Sequence, residues 1–172
     1  MTRYEIDRAM QEIVLNKTSE CRARLDALPK DNANERKAVQ IELGMYTLCG
    51  NAGLLFDTKG RNDNSPRDEF FRLRQGVFQR ILPKYPKLHE MFVGLEGDEQ
   101  LRFVAALQGE IFMRDQILGN YRTELANASA AQDARNVFEF TIKIGAVESV
   151  LEAWREWRME HAIYPVELEE LS

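Results

Sequence analysis

One stretch decides the fold of this chain, residues 130–162, with the sequence AAQDARNVFEFTIKIGAVESVLEAWREWRMEHA. Its apolar residues recur every three or four positions along two adjacent stripes, and this spacing is typical of an α-helix. A helix with apolar surface around most of its circumference is usually surrounded by other helices. We therefore predict an all-α bundle around a long C-terminal helix, in which the segment from Phe138 to Trp154 is buried.

Single residues predict where this helix begins, ends and meets its neighbours. Ser129 or Asp133 is the expected N-cap, and Pro165 prevents the helix from running far past residue 163. Gly145 would let another backbone come close, so a leucine there is expected to overpack and to cost about 1–3 kcal/mol of stability. Charged residues become frequent after Leu151, which predicts that the helix leaves the core at its C-terminal end.

The same periodicity predicts a bundle of five or six helices. A narrow apolar stripe from Ile6 to Leu28 marks a first helix over about residues 2–28, and a turn at Pro29 separates it from a second helix over residues 34–56. Because the connection is short, these two helices should form an antiparallel N-terminal hairpin. Further helices are predicted over about residues 66–82, 87–93 and 98–119, and Gly119 is expected to end or kink the last of them.

Length and composition bound the class of protein. A chain of 172 residues with 44% hydrophobic and 30% charged residues is typical of a single helical domain over residues 1–172, and we expect the acidic tail 163–172 to be frayed. The longest uncharged run, residues 43–56, is too short to span a bilayer, and no apolar secretion signal opens the chain. With two widely spaced cysteines, the sequence predicts a cytoplasmic protein without a membrane partner.

No motif in the sequence indicates a reaction, so we predict no catalytic residue, no metal site and no cofactor, and favour a protein that is not an enzyme. The sequence has no phosphate-binding loop and no hydrolase elbow. Neither His89 nor His161 follows a glutamate at the spacing of a di-iron bundle. The simpler interpretation is one histidine near a bend and one at a helix C-terminus, where a cation suits the helix dipole.

Four carboxylates lie within helical patterns and could in principle pair for acid–base chemistry. The commoner arrangement is that such groups point outward or meet an arginine such as Arg114 or Arg135. The four residues are Glu110, Asp115, Glu139 and Glu148.

The middle of the chain carries an excess of positive charge. Residues 59–87 contain eight basic and three acidic residues, a net charge of +5 in a chain whose net charge is −5. This excess favours a surface for phosphates or for an acidic protein, with Tyr85 able to stack on a base, and the alternative is a solvated helix face. The candidate partner-binding residues, here called the basic patch, are Arg61, Arg67, Arg72, Arg74, Arg80, Lys84 and Lys87. The arginines from Arg67 to Arg80 are expected to be exposed.

The C-terminal region has the opposite charge. Between residues 148 and 170, seven glutamates face two arginines, a net charge of −5. A chain with a basic middle and an acidic end can pair with a copy of itself. Trp154 and Trp157 lie near this acidic end and are candidate interface anchors, since tryptophan is enriched at binding hot spots. The alternative is that they cap the core.

These features favour a non-enzymatic protein–protein interaction module, an accessory protein of the adaptor, chaperone or inhibitor type that associates with itself. We expect a homo-oligomer through the first helix, because its stripe is as narrow as a coiled-coil seam and contains Lys17, a polar residue of the kind that fixes register. The main rival is that this stripe packs within the chain. The first alternative function is a nucleic-acid-associated protein that uses residues 59–87. The second alternative is an enzyme or small-molecule binder with a site in the helical core.

Overall fold

The computed structural model describes residues 1–52 and 67–168, with the side chains of all of these except residues 51–52, 67–71 and 73. It confirms the predicted all-α bundle, and none of the described helices is long and apolar enough to cross a membrane. The helices are α1 (Arg3–Ala27), α2 (Ala33–Ala52), α3 (Arg67–Ile81), α4 (Pro86–Val93), α5 (Asp98–Phe112), α6 (Gly119–Ala130) and α7 (Ala134–Glu160), with a 3₁₀ turn at Leu82–Lys84 and a π-helical turn at Met113–Leu118.

The first helix begins at a capping box and packs inside the chain. The Thr2 side chain accepts a hydrogen bond from the backbone N–H of Glu5, and the Glu5 carboxylate accepts one from the Thr2 N–H at 2.6 Å. The apolar side of α1, which includes the fully buried Ile6 and Cys21, packs on α2, α5 and α7. The predicted hairpin of α1 and α2 is therefore confirmed. The stripe that suggested self-association through α1 instead forms part of the chain's own core.

Two apolar clusters make up this core. The first joins α1, α3, α4 and α5 to the C-terminal end of α7, and its aromatic centre is formed by Phe78, Phe92 and Phe103, whose ring centroids lie 5.8–5.9 Å apart. The second joins α1, α2, the π-helical turn and the middle of α7. α5 is buried around its whole circumference, since residues 103–111 all lack substantial exposed surface. By burial, α5 is thus more enclosed than the long C-terminal helix.

The long helix α7 is buried in a different part from the one predicted. Asp133 caps it by accepting a hydrogen bond from the Asn136 N–H, which selects one of the two predicted caps. Its N-terminal half lies partly at the surface, and Phe138 is 40% exposed, so the predicted burial of this half is wrong. The predicted exit from the core is also wrong, because Trp154 and Arg158 near the C-terminal end are fully buried. The charged residues there are a misleading signal, because one of them, Arg158, is buried together with its partner Glu110.

The helical segment from α5 to α6 continues through Gly119 without a break. Gly119 has helical φ and ψ angles of −57° and −48°, so the end or kink expected there is absent. The irregularity lies one turn earlier, in the π-helical turn, where the i→i+5 pattern adds a residue to the turn and displaces the side chains that follow. A turn of this kind often marks a functional site. It separates the two surfaces described below.

The C-terminal segment is folded back onto the bundle over the part that the structure describes. Ile163 is 6% exposed and Leu168 is fully buried, and both belong to the first apolar cluster. The ring of Tyr164 packs edge-on against Phe103, with centroids 4.9 Å apart. The prediction of a frayed tail is therefore wrong for residues 163–168, and residues 169–172 lie outside the described part of the chain.

A glycine substitution tests the revised position of α7. Gly145 is exposed, and a Cβ there would meet nothing within 4 Å, so the predicted close approach is wrong, and with it the reason for expecting a leucine to overpack. Gly145→Ala should instead raise the free energy of unfolding by about 1 kcal/mol in urea titrations, because alanine favours the helix. Gly50→Ala is the matched control and should raise the free energy of unfolding by less, because its Cβ would lie 3.1 Å from Cγ1 of Val14. Equal gains at both sites would contradict this packing.

The two cysteines test the burial of the α1–α2 hairpin. Cys21 and Cys49 are free thiols with almost no exposed surface. Burial raises the pKa of the Cys49 thiol to about 12, and burial also raises the pKa of the Cys21 thiol. Both should therefore resist a thiol-specific chromogenic reagent at neutral pH and react fully once urea unfolds the protein. Rapid release of the chromophore by the native protein would show that the hairpin is open.

Candidate functional site

The structure divides the basic patch among exposed, buried and undescribed residues. Arg72, Arg80, Lys84 and Lys87 are exposed. Arg74 is 1% exposed, so its predicted exposure is wrong. The remaining members of the patch fall outside the described side chains: Arg61 and Arg67.

Arg74 is buried because it joins three helices. Its Nε donates to Oε1 of Gln108 on α5 at 2.7 Å, and its Nη1 lies 2.8 Å from Oδ1 of Asp7 on α1. The position of Arg74 on α3 explains this arrangement, since Arg74 precedes the buried Phe78 by four residues and shares its inward face. This guanidinium therefore fixes α3 in the bundle and is removed from the partner-binding patch.

An apolar groove lies between α3 and the π-helical turn, with basic residues at its rim. Its volume is about 390 Å³. Val77, Ile81, Ile111 and Phe112 supply apolar surface, and the other lining residues are polar or charged. In the following, the basic groove is this cavity with its lining residues Val77, Arg80, Ile81, Lys84, Ile111, Phe112, Asp115 and Gln116.

A polar contact closes one wall of the basic groove. The hydroxyl of Tyr85 donates to the Asp115 carboxylate, and the Arg114 guanidinium lies over the Tyr85 ring, 5.6 Å from its centroid. Burial and the neighbouring Asp115 raise the pKa of the Tyr85 hydroxyl, so it keeps its proton and remains a donor. Tyr85 is only 4% exposed, which excludes the predicted stacking of its ring on a base.

A second cavity lies on the other side of the π-helical turn, between the start of α6 and the C-terminal half of α7. Its volume is about 850 Å³, and its apolar lining residues are Leu118, Leu151 and Met159. Glu152, Glu156 and Glu160 are exposed along it at four-residue spacing. In the following, the acidic cleft is this cavity with its lining residues Arg114, Leu118, Arg122, Glu148, Leu151, Glu152, Arg155, Glu156, Met159, Glu160 and Glu167.

The charges of the acidic cleft are paired on one side and unpaired on the other. Glu148 forms an ion pair with Arg122 at 3.0 Å, and Glu167 lies 4.0 Å from Nε of Arg155. The remaining three glutamates form no ion pair with any residue in the described part of the chain: Glu152, Glu156 and Glu160. The α7 side of the cleft therefore presents a line of negative charge that no described residue neutralises in an ion pair.

A buried ion cluster lies at the end of α7. The Arg158 guanidinium donates through Nε to Oε2 of Glu110 at 2.9 Å and through Nη2 to Oε1 at 3.1 Å, and Nε of Arg155 donates to Oε1 at 3.1 Å. Arg158 also donates to the carbonyls of Tyr164 and Val166, which holds the C-terminal segment in place. Burial raises the pKa of Glu110, and the two guanidiniums oppose this rise.

The four carboxylates singled out from the sequence all have partners. Glu110 meets two arginines, though neither is the one expected, and Asp115 lies 3.5 Å from Nε of Arg114. The other two form ordinary surface ion pairs, Glu139 with Lys143 and Glu148 with Arg122. No group of three potential metal ligands occurs among the described side chains. The arrangement holds the helices together and presents charge, and the described residues bring no acid–base pair together.

The two tryptophans differ in burial. Trp154 is fully buried, and its Nε1 donates to the carbonyl of Ala106 at 2.9 Å, so it cannot anchor an interface. Trp157 is partly buried and stacks between Trp154 and His161, with centroid distances of 5.0 and 4.4 Å. The role of core cap, the alternative weighed from the sequence, describes Trp154 correctly.

Sequence reasoning identified the two charged regions and singled out the Glu110 carboxylate, but it missed Arg158 as the buried partner of Glu110. One signal was present: Arg158 follows the core position of Trp154 by four residues and therefore lies on the same face of α7. The π-helical turn left no sequence signal that we recognise. Comparison with protein-family models, with curated proteins and with solved structures gives no match to this chain.

Proposed function

We propose that this chain is a non-enzymatic protein–protein interaction module of the adaptor, chaperone or inhibitor type and that it associates with itself. One observation carries the proposal. Two surfaces of opposite charge, the basic groove and the acidic cleft, lie on either side of a single helical turn, and each combines charged rims with apolar residues. Apolar surface ringed by polar groups is typical of protein-binding surfaces.

The chemistry of the basic groove selects an amphipathic helix with acidic residues as its ligand. Val77 and Ile81 are partly exposed in the groove and can receive apolar side chains of a partner. Arg80 and Lys84 at the rim are positioned to meet carboxylates next to that apolar face. Mixed contacts of this kind combine affinity from apolar burial with specificity from charge.

A nucleic acid is the alternative ligand for the same cations. The exposure of Arg72, Arg80, Lys84 and Lys87 favours it. The burial of Arg74 and Tyr85 weakens it, since one phosphate contact and one stacking platform are removed. A salt series separates the two ligands. The logarithm of the affinity for phosphates falls steeply and linearly with the logarithm of the salt concentration, whereas affinity that comes from burial of apolar surface does not fall in this way.

Affinity capture tests the proposed function. The tagged protein is incubated with nuclease-treated lysate of its own host, and bound proteins are identified by mass spectrometry. We expect specific proteins, this chain's own untagged copy among them, to be bound by the parent and lost from the double variant Arg80→Glu/Lys84→Glu.

The matched control is Arg8→Glu/Arg22→Glu, which makes the same change in net charge at exposed positions of α1. This control should retain every partner of the parent. The proposed function is contradicted if all three proteins capture the same set. It is also contradicted if nuclease treatment alone removes everything that the parent binds.

A further inference from the structure

We propose that the basic groove of one copy binds the acidic cleft of a second copy, in a two-fold symmetric dimer centred on the π-helical turn. The inference rests on the proposed function and adds the identity of the partner and the surfaces used. In this dimer Arg80 and Lys84 face Glu152, Glu156 and Glu160 of the second copy, and the same contact occurs twice.

The two surfaces carry charges of opposite sign at the same four-residue spacing in the sequence. Side chains four residues apart on a helix lie about 5–6 Å apart on one face, so Glu152, Glu156 and Glu160 form a regular line. Arg80 and Lys84 are also four residues apart, across the end of α3 and the 3₁₀ turn. None of these five forms an ion pair with another described residue. Like charges at this spacing repel one another, and a row of cations from a second copy would relieve that repulsion.

The placement of the two surfaces fits a closed dimer. Asp115 and Gln116 line the basic groove, and the neighbouring Arg114 and Leu118 line the acidic cleft, so one turn forms the wall between them. A two-fold axis near the exposed Gln116 would place each surface opposite its complement on the other copy. Both surfaces are then used and none is left open, which is the property of an isologous interface.

Apolar contacts accompany the charges. Met159 is 36% exposed within the line of glutamates, between Glu156 and Glu160 on the surface of α7. Its flexible side chain is suited to an irregular apolar groove. The basic groove of the second copy offers Val77 and Ile81 for this contact.

Charge reversal in separate chains tests the pairing. The first variant, Arg80→Glu/Lys84→Glu, carries two acidic surfaces, and the second, Glu152→Lys/Glu156→Lys, carries two basic ones. Sedimentation velocity should show a dimer for the parent and, for each variant alone, a dissociation constant raised by about tenfold or more. An equimolar mixture of the two variants should dimerise again to within about threefold of the parent, because both contacts of the mixed dimer regain opposite charges.

Two control variants make the same changes in net charge elsewhere. Arg8→Glu/Arg22→Glu and Glu12→Lys/Glu20→Lys alter exposed positions of α1, and both should dimerise like the parent. The proposal is overturned by a monomeric parent at micromolar concentration, by reversals without effect, or by a mixture that stays monomeric. In the first case, partners other than this chain that are lost from the captured set with Arg80→Glu/Lys84→Glu would still support an interaction module, but without self-association.

A cysteine near the axis tests the symmetry. Gln116→Cys should form an intermolecular disulfide under mild oxidation, because a residue near a two-fold axis lies close to its own counterpart. The native cysteines are buried and do not compete. Glu124→Cys, at an exposed position of α6, is the control and should remain unlinked. The same cysteine can be placed in both charge-reversal variants. If their mixture dimerised but formed no disulfide at residue 116, the two-fold arrangement would be overturned.

Discussion

Replacing Glu110 with glutamine should lower the free energy of unfolding by about 3–5 kcal/mol, because the change leaves the Arg158 guanidinium buried without its counter-charge. Arg158 has no exposed surface and donates to both carboxylate oxygens of Glu110. Glutamine keeps the size of the side chain, so the loss would report the charge and not a cavity. Urea denaturation at a fixed protein concentration measures it.

A double-mutant cycle isolates the contribution of this ion pair. The single variants Glu110→Met and Arg158→Met should each be strongly destabilising, since each strands a buried charge, although Arg155 remains 3.1 Å from the Glu110 carboxylate as a partial partner when Arg158 is removed. The double change Glu110→Met/Arg158→Met should recover much of the loss, because two apolar side chains of similar volume replace the pair. Recovery stays incomplete because the carbonyls of Tyr164 and Val166 lose their donor.

Two results would contradict this account of the cluster. A Glu110→Gln protein that unfolds within roughly 0.5 kcal/mol of the parent would show that the charge is not stranded. Additive losses in the double variant would show that Glu110 and Arg158 do not interact. The control is Glu148→Gln, which breaks an exposed ion pair with Arg122 and should change stability by less than about 1 kcal/mol.

The sequence predicted those parts of the fold that local signals specify. Asp133, one of the two N-caps expected for α7, accepts a hydrogen bond from the first helical turn and caps that helix in the structure. Apolar periodicity predicted the paths of α1 and α2, and the short connection between them predicted the hairpin. These features depend on residues that are close in sequence, so they could be read from it.

Buried charges could not be predicted in this way. Arg74 and Arg158 belong to a residue type that is almost always exposed unless paired. Their partners Asp7, Gln108 and Glu110 lie at least 34 residues away along the chain, so only the tertiary fold makes burial of these arginines possible. The expected exposure of Arg74 and the expected exit of α7 from the core failed for this one reason.

The candidate site shows the same limit. The excess of cations before residue 87 and of glutamates after residue 148 was visible in the sequence. The π-helical turn, whose Arg114 lines one surface and whose Asp115 lines the other, was not visible, since Gly119, the irregularity that the sequence suggested, is helical. Without that turn, there was no basis for placing the two charged regions side by side.

Replacing Trp154 with alanine should lower the free energy of unfolding by about 3–5 kcal/mol, because it removes the largest fully buried side chain of the core. The carbonyl of Ala106 would also lose the indole N–H that binds it at 2.9 Å. Trp154→Phe should cost less, since it keeps most of the apolar volume and loses mainly that hydrogen bond. Thermal or urea unfolding followed by circular dichroism measures all three proteins.

The same variants decide between a core residue and an interface anchor. Trp157→Ala is the matched control: Trp157 is only partly buried, so its loss should cost clearly less stability than that of Trp154. Trp154→Phe should leave the dissociation constant of the proposed dimer unchanged, because this side chain has no exposed surface with which to reach a second copy. An anchor would behave in the opposite way, weakening the dimer while the unfolding curve stays where it is. That result would require α7 to leave the core at its C-terminal end after all.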